Sequence, residues 1–165
     1  MKSTTFLLAM MLTLLYSCGI SKMHKALQEI QNMPPASYDY IVQPEFVISK
    51  EASEAKLSEF YNAEEFRIGG SGRHSYDEET KEQINERYWL KAIVLNSNQV
   101  VDLRDEEVTR QLAKKIAGEV IAEITNAERY PSMQIVLMQQ WDDGNIKTMK
   151  RSIYFTLPEL AVMTP

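Results

Sequence analysis

Arg73 and His74 close the one glycine-rich stretch of the chain, Ile68-Gly69-Gly70-Ser71-Gly72. Their types suit an anion: a glycine loop can turn backbone N–H groups toward a phosphate, Arg73 adds positive charge and His74 a hydrogen-bonding ring. The timing is wrong for a nucleotide loop, because neither a G-K-S/T ending nor a G-x-G-x-x-G run is present. Composition alone makes residues 69–77 a flexible surface loop. A hydrolytic reading would take Ser71 or Ser75 as nucleophile, His74 as base and Asp77 as its orienting group. Residues so close along one chain seldom reach triad geometry, and no G-x-S-x-G elbow exists.

Other chemistries have less to work with. The only histidines are His24 and His74, and Cys18 is the only cysteine. No H-E-x-x-H occurs, and Asp142-Asp143-Gly144-Asn145 lacks the alternating spacing and distal Glu of a calcium loop. It reads as a turn. Carboxylate pairs can be drawn freely from 23 acidic residues, so a glycosidase-like pair carries no information without geometry. No catalytic set, metal set or cofactor is expected. Aromatic side chains offer a surface instead. Trp89 and Trp141 fall on predicted strands, and if they share an exposed face they form a contact patch; otherwise they close the second side of the sheet. The candidate ligand-binding residues are therefore Arg73, His74, Trp89 and Trp141.

The elements that must position them follow from periodicity. Met23, Leu27, Ile30 and Met33 form one helical stripe over 21–33, stopped by Pro34-Pro35. Tyr38 to Ile48 reads as extended, with Pro44 marking an edge or an interruption. Ser49 caps a helix over 50–62 whose apolar edge is Leu57, Phe60 and Tyr61. The charged run 77–86 predicts a solvated turn or loop. Tyr88 to Leu95 is nearly continuous in aromatic and β-branched residues, which suggests a central strand covered on both faces. Asn96-Ser97-Asn98 is turn chemistry, and Val100, Val101 and Leu103 could return as a short strand. Next comes the strongest helix, about 105–127, with Asp105-Glu106-Glu107 at its N-terminus and Val108, Leu112, Ile116, Val120 and Ile124 recurring every fourth residue. Ala113 and Ala117 thin that stripe and would let a sheet approach. Met133–Trp141 and Ile146–Phe155 form a hairpin around Asp143-Gly144. A two-residue turn sets Trp141 against Ile146 and Leu137 against Lys150; a bulged three-residue loop sets Leu137 against Met149.

Ahead of all this lies an export signal. Lys2 precedes an uncharged, largely apolar run over 6–16, then Ser17 and Cys18. As a helix that run is about 17 Å long, too short for a hydrocarbon core of roughly 30 Å. Leu15, Tyr16, Ser17, Cys18 and Gly19 resemble the lipobox of bacterial lipoproteins, in which the cysteine is lipidated and becomes the first residue of the mature chain. Ordinary secretory cleavage near Ser17 or Gly19 would instead leave a lone cysteine with no intrachain partner. The resemblance implies a lipid anchor at Cys18. Gly19, in place of the aspartate that retains lipoproteins at the inner membrane, implies an outer-membrane address facing the periplasm.

The formal net charge of −5 argues against nucleic acid, which needs a basic surface. The expected organisation is a signal peptide over 1–17, a lipidated Cys18 with a tether or short helix to residue 37, and a single α+β domain over 38–165. That domain is expected to be a mostly antiparallel sheet with the 105–127 helix on one face and short N-terminal helices. The functional expectation is a binding or assembly accessory module, held at the membrane by its lipid and meeting an envelope protein. A self-protection inhibitor and an envelope hydrolase with its site near 69–77 are the alternatives.

Overall fold

The computed structural model describes residues 22–25, 27–28, 31, 33–100, 102–156 and 159–160. The lipobox, Cys18 and Val101 lie outside them, as do Ile30 and Pro158. The chain divides into two units, residues 1–36 with 76–83, and residues 37–75 with 84–165.

In the first unit, described residues between 22 and 31 are helical, and Met23 and Leu27 of the predicted stripe are exposed. Tyr76 donates its hydroxyl hydrogen to Pro34 O at 3.2 Å. Asp77 Oδ1 accepts from the N–H groups of Glu79 and Thr80 and from the Thr80 hydroxyl. Those backbone donors hold the Asp77 carboxyl below its ordinary value.

The second unit carries the α+β architecture. Its elements are α1 (Lys50–Phe60), β1 (Glu65–Tyr76), β2 (Gln83–Leu95), α2 (Glu106–Ala122), a 3-10 turn (Ala127–Arg129), β3 (Ser132–Asp142) and β4 (Ile146–Thr156). The outer ends of β1 and β2, Tyr76 and Gln83, belong to the first unit. The strands form one sheet in the order β1-β2-β3-β4. It is mixed rather than mostly antiparallel: β2 and β3 run parallel, Leu90 beside Met133 and Leu95 beside Met138, while β3 and β4 are antiparallel. The cause is α2. The short returning strand expected through Val100 and Leu103 does not form; both residues are buried in the core. The chain then crosses over through a helix, as parallel neighbours require.

Asp105 caps α2 by accepting from Val108 N–H. The buried face is Thr109, Ala113, Ile116, Ala117 and Val120, so the stripe is rotated from the expected one and Val108 is exposed. The helix stops at Ala122, earlier than 127, and Ile124 forms an isolated bridge with Phe46. Ala113 and Ala117 share one core with Leu90, Ala92, Val94, Met133, Ile135, Leu137, Ile153 and Phe155. Arg151 on β4 ties down the start of α2: its Nη1 donates to Leu103 O at 3.0 Å, and Nη2 lies 3.1 Å from Glu106 Oε2.

Residues 133–137 of β3 are buried without a break, whereas β2 alternates, burying Leu90, Ala92 and Val94 and leaving Trp89, Lys91 and Ile93 partly exposed. The strand covered on both faces is therefore β3, not Tyr88–Leu95. In the β3–β4 hairpin Asp142 pairs with Ile146 and Leu137 with Arg151. That is neither predicted register. Asp143, Gly144 and Asn145 make the turn, with Gly144 at φ +99° and its N–H donating to Asp142 Oδ1 at 2.9 Å.

Three further expectations change. The glycine-rich stretch is strand β1, not a surface loop. Phe66 and Ile68 are core residues, and Gly70 and Gly72 follow at alternate positions where the segment around Ile41 and Val42 passes closely. A Cβ on Gly70 would stand 2.4 Å from Val42 O, and one on Gly72 2.9 Å from Arg87 O. Residues 38–48 are not a strand, because their backbone groups are bound elsewhere. Asn126 accepts from Glu45 N–H and donates to Gln43 O, each at 3.0 Å, and the Tyr130 hydroxyl donates to Val42 O at 2.9 Å. Finally, the charged run 77–86 contains the start of β2 at Gln83.

Helix α1 begins as its Ser49 cap predicts, with Ala52 N–H donating to Ser49 Oγ. Its Glu54 accepts from Ile68 N–H at 2.6 Å, satisfying a donor on the outer strand β1. Glu123, just past α2, receives the Ser53 hydroxyl at 3.0 Å and the Lys56 ammonium. A carboxylate at a helix C-terminus is unfavourable to the dipole; these two α1 donors offset that.

Candidate functional site

Alternation along β2 and β3 sends Leu90, Met133 and their partners toward α2, so Trp89 and Gln134 project from the opposite sheet face. There they build a polar chain across three strands. Trp89 Nε1–H donates to Gln134 Oε1 at 3.0 Å, and Gln134 Nε2 donates to the Tyr154 hydroxyl oxygen at 2.7 Å. Its direction is forced. An indole N–H can only donate, so Gln134 must turn its oxygen to Trp89 and its amide nitrogen to Tyr154. Tyr154 then accepts, and its own hydrogen is left to donate elsewhere.

The two ends of this chain, Trp89 and Tyr154, line a cleft of about 720 Å³ together with Arg73, Glu86, Arg87, Tyr88, Pro131 and Ser132. That volume is in the range of small-molecule sites. β1 supplies Arg73, β2 supplies Arg87 and Trp89, the start of β3 supplies Ser132, and β4 supplies Tyr154. Among the described residues neither Arg73 nor Arg87 has an ion-pair or hydrogen-bonding partner for its side chain, whereas Arg67, Arg110, Arg129 and Arg151 each pair with a carboxylate. A smaller hollow of about 430 Å³ adjoins, lined by Arg73, His74, Ser75, Asn85 and Arg87, so both arginines serve both spaces.

His74 is held by aromatic side chains. Its Nδ1 lies 3.3 Å from the Tyr40 hydroxyl, and its ring is 5.4 Å from Tyr38 and 6.2 Å from Tyr40. Burial and the nearby Glu86 carboxylate push the Tyr40 hydroxyl above its ordinary value. Ser75 Oγ accepts from Asn85 Nδ2 at 3.0 Å. Asp77 is engaged by its own turn.

The structure thus brings Arg73, His74 and Trp89 into neighbouring hollows and sends Trp141 elsewhere. Trp141 shares its alternation with the α2-facing Met133, Ile135 and Leu137, and it lies some 25–30 Å along the sheet from Trp89. It lines a separate hollow with Asn96, Ser97, Gln139 and Gln140. The two tryptophans therefore do not form one patch. Sequence reasoning missed Arg87, Gln134 and Ser132. Arg87 could have been found from its i, i+2 spacing to Trp89, which puts both on one strand face. Gln134 and Ser132 needed the parallel β2–β3 register, for which the sequence carries no local signal.

Among the described residues no cluster of three or more His, Cys, Asp or Glu could hold a metal ion, and no helix is long and apolar enough to cross a membrane. The cleft's groups can bind and orient a ligand through charge, hydrogen bonding and ring contact. No family model, curated protein or solved structure matches this chain.

Proposed function

We propose that the chain is a lipoprotein, anchored through Cys18 on the periplasmic side of the outer membrane, that works as a binding or assembly accessory module for an envelope partner. The N-terminal residues 15–19 support the anchor. The observation that carries the binding role is the cleft beside Trp89, where two guanidinium groups with no partner among the described residues and an outward Tyr154 O–H border one concave surface. In this reading α2, as the long amphipathic cover of one sheet face, is scaffold, and the opposite face is the working one.

Affinity capture with a soluble form lacking the first 18 residues tests the role. A specific envelope protein or ligand is expected to be recovered, and to be lost from the Arg73→Gln/Arg87→Gln double variant. Repeated recovery of nothing specific would remove the reading. For the anchor, radiolabelled fatty acid should enter the wild type and not Cys18→Ala; equal labelling of both would refute it. A hydrolase centred on residues 69–77 predicts instead that Arg73→Ala and His74→Ala abolish turnover of envelope material.

A further inference from the structure

The cleft is unequal in what it offers. On the donor side stand the Arg73 and Arg87 guanidinium groups, the free hydrogen of Tyr154 and the Ser132 hydroxyl; on the acceptor side the one carboxylate is Glu86. Two guanidinium groups against one carboxylate leave the lining with an excess positive charge, and an anion between the arginines relieves their mutual repulsion. Guanidinium groups also match the planar, two-oxygen geometry of carboxylates and phosphates. Beside these donors, Trp89 and Pro131 supply flat apolar wall. Trp89 is locked in place, since its only polar atom is tied to Gln134. Its ring position is therefore set before any ligand arrives, which lowers the ordering cost of binding.

We infer that this cleft is a subsite for an oxyanion, carboxylate or phosphate, carried on a ring body. Arg73 and Arg87 take the charge, Tyr154 donates its hydroxyl hydrogen to an oxyanion or ring oxygen, and the Trp89 face packs against the ring. The inference rests on the binding-module reading and adds the chemical class of what is bound. An acidic sugar and a sugar phosphate share this chemistry. The adjoining hollow, which borrows the same two arginines, gives such a ligand room to continue past His74.

Tryptophan emission reads the site directly if Trp141 is replaced, because the chain has two tryptophans. The soluble Trp141→Phe protein is titrated with glucuronate, glucose 6-phosphate, inorganic phosphate and glucose. A saturable change in Trp89 emission is expected with one or both ring-borne anions, whichever binds tighter naming the source. Affinity should fall at least tenfold in Arg87→Gln and in Arg73→Gln, severalfold in Tyr154→Phe, and on raising salt. Arg67→Gln, an exposed β1 arginine paired with Glu65, should change nothing. Matching urea midpoints would show that the Arg variants are folded. Equal binding of glucose and its acids, an unchanged affinity in both Arg variants, or no saturable change with either ring-borne anion at millimolar concentration would each overturn the inference. If the titrations fail while affinity capture still recovers an envelope partner, this inference falls and the module reading stands. Loss of capture alone, with the anions still binding, has the opposite meaning.

Discussion

Replacing Gly70 by Ala, with Gly69→Ala beside it, tests why β1 is rich in glycine. A methyl on Gly70 would meet Val42 O at 2.4 Å, a full ångström inside the ordinary contact distance of 3.4 Å, and the Ile41 Cγ2 atom at 2.7 Å. The oxygen cannot simply retreat, because it accepts the Tyr130 hydroxyl at 2.9 Å and its neighbours are tied to Asn126. Overpacking of this kind costs about 1–3 kcal/mol. Against it stands a gain of roughly 0.4–1 kcal/mol from restricting the unfolded chain. Gly69 has nothing within 4 Å of its added Cβ, so only the gain applies there. The gain is common to both, so the two variants should differ by the overpacking cost, about 1–3 kcal/mol, Gly70→Ala being the weaker. With a urea slope of about 2 kcal/mol per molar, their unfolding midpoints separate by about 0.5–1.5 M. Gly72→Ala should fall between, since part of what it meets is the movable end of Ile41. Overlapping urea curves for Gly69→Ala and Gly70→Ala would refute the close-approach argument and return the stretch to a surface loop.

The Glu123 carboxyl is held below its ordinary value by the Lys56 ammonium and the Ser53 hydroxyl. Its stabilisation is complete above the ordinary carboxylate value and is lost as pH falls through the depressed one. Glu123→Gln should flatten that acid limb of the stability profile measured by urea unfolding at several pH values; an unchanged limb would show that other carboxylates cause it. Ser53→Ala, which removes a buried donor to that carboxylate, should cost about 1.5–3 kcal/mol at neutral pH. Tyr61 and Tyr130 make a second contrast. The Tyr61 hydroxyl is buried with no hydrogen-bond partner among the described residues, so Tyr61→Phe should be neutral or stabilising by about 1 kcal/mol, whereas Tyr130→Phe loses the bond to Val42 O and should cost about that much. Burial pushes both hydroxyls up to about 12. The fold thus favours the neutral phenols, and their stabilisation is intact below the ordinary tyrosine value and lost as pH rises toward 12. In an ultraviolet titration of the form lacking the first 18 residues these two tyrosines should ionise last and together with unfolding; early ionisation of all the tyrosines would contradict their burial.

Local chemistry made several elements legible. Ser49 and Asp105 announce helix starts, Asp143-Gly144 a reversal, and fourfold spacing an α2 that needs a sheet to cover. Boundaries were set by competition instead. Ile124 satisfies the helical period, yet the chain leaves the helix at Glu123 because Glu123 O and Thr125 N–H bind the 38–48 segment. The glycines misled for a similar reason. Glycine serves a mobile loop and a close crossing equally well, and only the position of Val42 decides between them. In the site, Arg73, His74 and Trp89 could be nominated by type, while Gln134 and Ser132 could not, because polar residues at a strand acquire meaning only from what lies beside them.

By itself, then, the sequence determined the helix caps, the turn residues and the resemblance of residues 15–19 to a lipobox. Each is a matter of neighbours within a few positions, where spacing and side-chain chemistry act directly. Tertiary structure alone decided that β2 and β3 lie parallel, that Trp141 points away from Trp89, and that Arg73 and Arg87 share a cleft with Tyr154. Those outcomes depend on which strand edges meet across the α2 crossover. That choice minimises the free energy of the whole core and leaves no mark on any short stretch of the chain.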